Sequence, residues 1–244
     1  WGFIAGTRDY FCRDYAPVQI DETRFVQFRF YPDYLGRADR EKYITDIRKV
    51  YEKNGFLNNN SVTFSKIKLD GGNIIKWKDK AIVTDKIFTE NKDIRETEII
   101  DELEKLLEIK ILVVPAYPEE ETGHADGLVR FIDSDTVVTY NLDIENEGEG
   151  RKWKENFLKT FEENNIEVIT LSPVSEKDDA NNWAYLNFLQ VKDLIILPVF
   201  NRDSDKTMLS FFKETFKTNI ETVYSQNILN QGGVLNCFTW NIKK

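Results

Sequence analysis

The sequence predicts an α/β fold in which one structural unit recurs about five times around a central axis. Pairs of short apolar stretches joined by charged turns recur along the chain, and each pair opens on polar or glycine-rich residues, as β-hairpins do. These openings start at Arg13, Asp70, His124, Asn182 and Gly232, so that successive starts lie 50 to 58 residues apart. A regular repeat of this length indicates an array of similar units.

The elements follow in a constant order within each unit. Four complete hairpins are predicted at 13–32, 70–88, 124–143 and 182–200. A helical pattern follows each hairpin, at 38–55, 93–108, 151–165 and 205–219. A short apolar strand then leads to the next opening, at 62–69, 109–115, 166–172 and 220–225. Residues 1–6 would precede the first hairpin in the same way.

The helical patterns are recognised by an apolar stripe along one face. In the first of them Tyr43, Ile47 and Val50 recur at the three- and four-residue spacing of such a stripe, and Gly55 follows as a helix C-cap. We expect these stripes to face the core.

Five openings but only four helical patterns predict that one unit is incomplete. The fifth hairpin, from Gly232, stops at Lys244 before a second strand. A strand and a helix ahead of Trp1 would complete a closed ring, and closure would remove exposed sheet edges. Because the chain starts at Trp1 and not at methionine, we expect a trimmed chain that lacks this N-terminal piece. The prediction is one domain over residues 1–244, a five-fold pseudo-symmetric β/α propeller, with a linear α/β sheet as the alternative.

Composition narrows the class of partner. The chain has 33 basic and 42 acidic residues and a net charge of −9, whereas a nucleic-acid-binding surface would be basic. No apolar run reaches the ~20 residues of a membrane span, and no signal peptide is visible. Cys12 and Cys237 are too few for a disulfide framework, which favours a reducing compartment. The net negative charge is compatible with a small cationic substrate but is more typical of a solvated acidic surface, and the cysteine content leads us to expect a cytoplasmic protein.

The openings of the units carry the candidate functional residues. In a pseudo-symmetric ring equivalent positions converge on the axis, which would bring together Asp14, Asp70, His124, Asp126 and Cys237. A cysteine with a histidine distant in sequence is a candidate nucleophile and base, and a carboxylate can orient the imidazole. The remaining carboxylates suit a guanidinium, which binds them in bidentate geometry. Taken singly, each residue is typical of a turn, a core position or a structural ion pair. Because these residues lie at equivalent positions of the repeat, they favour a shared functional site. The sequence shows no spacing typical of metal ligands.

Five short motifs occur along the chain in a fixed order: "CRDYAPVQ" at 12–19, "LDGGN" at 69–73, "ETGHADGLVRF" at 121–131, "YLNF…LIILPVF" at 185–200 and "GGVLNC" at 232–237. Taken together in this order, they resemble the agmatine deiminase family, which is related to bacterial peptidylarginine deiminase in the pentein superfamily. The resemblance spans residues 7–237. It implies the five-fold propeller fold and the deimination of a guanidino compound without a cofactor or a metal.

The resemblance also implies a role for each candidate residue. Cys237 matches the nucleophilic cysteine, and His124 matches the general acid and base. Asp14 and Asp126 match the aspartates that grip the guanidinium. Asp70 stands where agmatine deiminases usually have glutamate, and it would orient His124.

Two further departures bear on the substrate. Asn236 stands where agmatine deiminases typically have a histidine just before the cysteine, and Ala16 replaces the glycine of the RDxGP motif. Cys12 matches no functional position and is expected to be structural. These departures weaken the assignment of agmatine itself.

The sequence supports one main function and two alternatives. The main function is a hydrolase that converts agmatine to N-carbamoylputrescine, a step of putrescine biosynthesis, through a covalent thiouronium intermediate on Cys237. The alternatives are peptidylarginine deimination and a catalytically degraded relative that acts as a binding module. Loops at 117–121 and 175–183 would set specificity. A homodimer is the assembly that the resemblance implies, and the sequence leaves the oligomeric state open.

Overall fold

Four small sheets with the same topology make up the β structure of the described residues. The computed structural model describes residues 4–55, 61–118, 120–140, 148–171 and 183–243. In each sheet a β-hairpin supplies two antiparallel strands, and a third strand pairs in parallel with the second. The first two sheets contain β1 (Val18–Gln19), β2 (Phe25–Arg29), β3 (Val62–Lys68), β4 (Ile75–Trp77), β5 (Lys80–Thr84) and β6 (Lys110–Val114). The other two contain β7 (Val129–Phe131), β8 (Thr136–Thr139), β9 (Glu167–Thr170), β10 (Leu189–Val191), β11 (Leu194–Val199) and β12 (Asn219–Tyr224).

Helices connect the second and third strands of each sheet, because a parallel pair needs a crossover. They are α2 (Arg37–Tyr43), α3 (Ile47–Asn54), α4 (Lys86–Glu90), α5 (Glu96–Leu107), α6 (Gly148–Glu163) and α8 (Ser204–Thr215). Short turns lie at the openings of the units: α1 (Cys12–Tyr15), a 3₁₀ turn (Gly71–Asn73), α7 (Trp183–Leu186) and α9 (Gln226–Leu229). None of the described helices is long and apolar enough to cross a membrane.

The core lies between the sheets and the helices that cover them. In α5 the residues Ile99, Leu103 and Leu107, spaced four apart, are buried on one face. They pack in one apolar cluster with Ala81 and Val83 of β5. Burying an aliphatic side chain of this size contributes about 1.5–3 kcal/mol. The helix stripes thus hold each sheet in place.

The α/β class is confirmed, and the hairpin, helix and strand unit occurs four times in the described residues. The strands fall into four separate sheets, so the alternative of one linear sheet is wrong. The closed five-unit ring and an additional N-terminal segment stay predictions.

Three local expectations are wrong. The helix expected at 38–55 is two helices, because residues 44–46 leave the helical path so that the buried Thr45 hydroxyl accepts the Arg8 amide at 3.0 Å. Gly55 is the expected C-cap, with φ +64°.

Residues 4–6 form a turn and not a strand, and residues 1–3 lie outside the described part. The incomplete hairpin expected from Gly232 has no strand in the described residues 232–243. They are held by other bonds, such as those of the Gln19 side chain to the Lys243 backbone.

Candidate active site

Four chain segments meet at one end of the hairpins. Three backbone amides tie them together: the Gly72 amide donates to Asp14 Oδ1 at 2.9 Å, the Asp126 amide to the Gly72 carbonyl at 3.0 Å, and the Arg13 amide to the Cys237 carbonyl at 3.1 Å. The turns α1 and Gly71–Asn73 therefore lie against the loop that follows β6 and the loop that follows α9.

His124 lies between two carboxylates. Its Nε2 is 3.3 Å from Asp70 Oδ2, and its Nδ1 is 3.7 Å from Asp14 Oδ1. Burial lowers the pKa of the imidazole, but the two carboxylates outweigh burial and raise this pKa to about 10. The ring is therefore a cation at neutral pH and can donate a proton.

Cys237 is partly buried and lies beside a third carboxylate. Its Sγ lies 3.4 Å from Asp126 Oδ2, and its amide donates to Asn187 Oδ1 at 3.2 Å. Burial raises the pKa of this thiol well above its ordinary value, and the charges of Asp126 and Asp14 raise it further. The sulfur is therefore protonated in the free site.

The two aspartates expected to hold a guanidinium are both buried. Burial raises the pKa of Asp14 to about 7, although the charge of His124 opposes this shift. Asp126 Oδ2 accepts a hydrogen bond from Asn236 Nδ2 at 2.8 Å. Both carboxylates act electrostatically on the same sulfur, and carboxylates are groups that pair with a guanidinium.

The structure brings all five candidate site residues together. Asp70 does reach His124 despite its short side chain, and its second oxygen accepts the Tyr31 amide at 3.3 Å. Asn236, noted in the sequence as a departure, contacts Asp126 directly. The catalytic and binding roles of the five residues stay predictions.

Tyr34 is a neighbour of the site that sequence reasoning missed. Its ring meets the ring of His124 edge to face, with the centroids 6.0 Å apart. Burial raises the pKa of the Tyr34 hydroxyl, and the charges of Asp14 and Asp70 add to the effect. The surrounding "YPDYL" at 31–35 is typical of a loop, but no local signal places that loop over the histidine.

Lys86 links the loop at 31–35, which carries Tyr34, to the loop that carries His124. Its Nζ lies 2.8 Å from Asp33 Oδ1 and 3.5 Å from Glu90 Oε1, and it also donates to the Thr122 carbonyl. The side chain of Lys86 is only 11% exposed, so this pairing is poorly screened by water. The sequence analysis did not single out this lysine.

Asn187 was missed as an individual residue, although its motif was noted. Its side-chain oxygen accepts the Cys237 amide, and its carbonyl accepts the Asn236 amide at 3.0 Å. Its Nδ2 is buried without a hydrogen-bond partner among the described residues. Asn187 therefore fixes the backbone that carries the sulfur.

Of the two loops expected to set specificity, one contributes to the site. In the loop at 117–121, Glu120 Oε2 accepts the His124 amide at 3.1 Å, which positions the histidine backbone. Residue 119 and most of the loop at 175–183 lie outside the described residues. Among the described residues, no group of three or more histidine, cysteine or acidic side chains has the arrangement of a metal site.

Comparison with known proteins gives a family match and several structural neighbours. The sequence profile described as Porphyromonas-type peptidyl-arginine deiminase matches residues 3–242. No curated protein gives a significant match to the sequence.

Solved structures share the fold at low identity. An agmatine deiminase from C. jejuni with substrate bound is 17% identical, with 96% of this chain and 73% of that chain covered and a TM-score of 0.69. An agmatine deiminase of Enterococcus faecalis is 19% identical, with 94% and 73% covered and a TM-score of 0.67. A mutant of DDAH from Pseudomonas aeruginosa, in complex with citrulline, is 11% identical, with 90% and 70% covered and a TM-score of 0.54.

Proposed function

Since the chain belongs to the Porphyromonas-type peptidyl-arginine deiminase family of guanidino-modifying enzymes, we propose that it is a hydrolase that removes ammonia from agmatine and releases N-carbamoylputrescine. The observation that carries the proposal is the cluster of Cys237 with His124 and three buried carboxylates. The motif resemblance to this group of enzymes is confirmed by the family match.

Asp14 and Asp126 would hold the guanidinium. Both carboxylates are buried, and a guanidinium presents planar N–H groups that pair with carboxylates. Its positive charge beside the sulfur would lower the pKa of Cys237, because an opposite charge within ~4–6 Å favours the ionised form. Substrate binding would thus release the thiol proton to water and form the nucleophile.

The first half-reaction breaks the carbon–nitrogen bond. The thiolate of Cys237 attacks the guanidinium carbon and forms a carbon–sulfur bond. His124, a cation at the start, gives its proton to the departing nitrogen, and ammonia leaves. A thiouronium remains on Cys237, and His124 is neutral.

The second half-reaction releases the product. Neutral His124 takes a proton from water, whose oxygen attacks the thiouronium carbon. The carbon–sulfur bond then breaks and the ureido product leaves. Of the two protons set free, one stays on His124 and the other returns to the sulfur, which restores the resting site.

The surroundings of the site support a small substrate over a peptide. The loop at 31–35 places Tyr34 against His124, and Lys86 holds that loop through Asp33. A peptide would need an open cleft at this position. Peptidylarginine deimination remains the alternative that the family description supports.

The covalent route is tested by removing each cysteine in turn. We expect Cys237→Ala to abolish ammonia release, because no other group of the cluster can form the thiouronium. Cys12→Ala is the matched control: the Cys12 thiol donates to the Phe238 carbonyl at 3.0 Å, and burial raises its pKa to about 11. We expect that variant to retain turnover. Ammonia release by Cys237→Ala at the wild-type rate would overturn the covalent route.

The substrate is tested by a colorimetric ureido assay with agmatine, free arginine and an arginine-containing peptide. We expect the highest kcat/KM with agmatine. Higher activity on the peptide would favour peptidylarginine deimination. No activity on any of the three would favour the binding-module alternative.

A further inference from the structure

A second cavity lies behind the candidate active site. Its volume is about 1060 Å³, it is open to solvent on one side, and it is lined by residues of β1, β4, β7 and β10 together with Trp240, Asn241 and Lys243. Binding sites for small molecules usually have volumes of ~300–1,000 Å³. The cavity is therefore large enough for a metabolite.

The cavity and the catalytic cluster lie on opposite sides of the same short motifs. Arg13 and Gly71 line the cavity, whereas Asp14 and Gly72, the next residues along the chain, contact the cluster. The first strand of each hairpin (β1, β4, β7 and β10) runs from the catalytic cluster to the hairpin turn. Lys78, in the turn after β4, lines the cavity. The cavity thus lies on the hairpin-turn side of the catalytic residues, and none of the five candidate site residues lines it.

The lining of the cavity is basic, although the chain as a whole has a net charge of −9. Two acidic side chains line it, Asp21 and Glu22, and Asp21 is bonded to Arg24 at 2.6 Å. Six basic side chains line it: Arg13, Arg130, Lys76, Lys78, Lys192 and Lys243. A basic cavity in an acidic protein indicates an anionic occupant.

Arg130 is the most informative of these cations because it is only 7% exposed. Its Nη1 donates to the carbonyls of Leu186 and Phe188 at 3.3 and 3.0 Å, and its guanidinium lies over the Phe188 ring at 4.3 Å. These contacts fix the orientation of the guanidinium but supply no negative charge.

Arg13, which is partly buried, also has a fixed guanidinium. Its Nε donates to the Asn236 carbonyl at 3.2 Å. Within the described part of the chain, no carboxylate oxygen lies within the 4.0 Å of an ion pair from either Arg13 or Arg130. Burial lowers the pKa of Arg130 to about 10, and the charge of Arg13 opposes its ionisation further, although Asp126 favours it. Asp126 is the main charge that favours the ionised form of both arginines, but no carboxylate of the described residues forms an ion pair with either, so an anion in the cavity would stabilise the two cations further.

We propose that this cavity binds a small molecule through a carboxylate or phosphate group, which Arg13 and Arg130 recognise at its inner end. A planar guanidinium matches both oxyanions in bidentate geometry. Lys76, Lys78 and Lys192 line the same cavity and would take a second anionic group. The occupant is therefore a multiply charged anion, chemically distinct from the cationic substrate of the catalytic cluster.

The proposal is tested by titration calorimetry of the full chain in Tris chloride at constant ionic strength, with pyrophosphate and citrate as probes. We expect saturable binding of at least one probe, about tenfold weaker in Arg130→Gln. We expect the exposed double variant Lys78→Glu/Lys192→Glu to weaken binding at least threefold. The matched control is Lys152→Glu/Lys217→Glu, which changes the same charge at exposed lysines outside the cavity and should leave binding within twofold of wild type.

Each outcome decides the question. The stronger of the two probes identifies the anionic group that the cavity prefers. If Arg130→Gln loses its near-ultraviolet circular dichroism, the exposed double variant decides. No binding of either probe, or equal weakening by the control pair, overturns the proposal. The measurement needs no turnover, so its result is independent of the deiminase reaction.

Discussion

At the scale of single residues, His124 is held by a carboxylate near each ring nitrogen. Asp70 accepts a hydrogen bond from Nε2, and the negative charge of Asp14 lies near Nδ1. The ring of Tyr34 packs edge to face against the imidazole. This arrangement explains both the fixed orientation of the imidazole and its raised pKa.

Asp70 sets part of that pKa, so replacing it should move the pH dependence of turnover. Asp70→Asn keeps the size of the side chain but removes its charge, which lowers the pKa of His124. We expect kcat to fall about 100-fold and the alkaline limb of the pH–rate profile to move to lower pH. Steady-state kinetics between pH 6 and 10 provide the measurement.

The conservative variant Asp70→Glu separates charge from packing. It restores the carboxylate, so we expect it to retain more activity than Asp70→Asn. An unshifted alkaline limb in Asp70→Asn would contradict the assignment of Asp70 as the residue that orients His124.

Tyr34 should act by keeping water from the histidine. Tyr34→Phe retains the ring and is expected to lose less than threefold in kcat/KM, whereas Tyr34→Ala should lose about tenfold, the value of one aromatic contact. Kinetics of both variants with agmatine provide the comparison. Equal losses in the two would assign the effect to the hydroxyl.

The candidate catalytic residues could be predicted because each lies in a short motif at a matching position of the repeat. Tyr34 and Asn187 could not, because their approach to the site depends on loop conformation and on contacts between distant segments. The effect of Asp70 in place of glutamate also needed coordinates, since only a distance shows that the shorter side chain reaches the ring.

At the scale of elements, the Gly71–Asn73 turn holds two site residues in place. A Cβ on Gly72 would lie 2.6 Å from His124 Nδ1 and 2.7 Å from Asp14 Oδ1, closer than atoms approach without displacement. Position 72 must therefore be glycine, because only a residue without a side chain fits against His124.

We expect Gly72→Ala to reduce kcat/KM by more than about 100-fold, because it displaces His124 and Asp14, to which we assign roles in the proposed reaction. Gly36→Ala is the control, since a Cβ at that N-cap position of α2 meets nothing within 4 Å. Kinetics and circular dichroism of both variants test the expectation. Full activity in Gly72→Ala would mean that the observed contact is not maintained during turnover.

The hairpins and most helices could be predicted from apolar periodicity, which reflects the burial of one face. The break between α2 and α3 could not, because it depends on a side-chain bond from Thr45 to distant Arg8. The missing strand at 4–6 has a similar origin, since a strand requires a partner that the local sequence does not reveal.

At the scale of the whole molecule, the charge of His124 should make stability depend on pH. Its pKa in the folded state, about 10, lies above the ordinary 6.5, so the folded state holds the proton more tightly. This contribution to the free energy of unfolding is complete below pH ~6.5 and is lost as the pH rises through about 10.

We therefore expect His124→Asn to be less stable than the wild type at pH 6 and about equally stable above pH 10. Urea denaturation of both proteins at pH 6, 8 and 11 measures the difference. A difference that stays constant over this range would show that folding does not shift the pKa of His124.

The bond from Arg13 Nε to the Asn236 carbonyl joins positions 223 residues apart, and the contact of Asp126 with Cys237 spans 111 residues. Contacts this distant along the chain form slowly, because the entropy cost of closing a long loop precedes the favourable energy of the contact. A growing polypeptide on the ribosome can fold its first sheets well before it contains the sulfur. The proposed chemistry could therefore begin only after synthesis has passed Cys237 and the distant segments of the site have met.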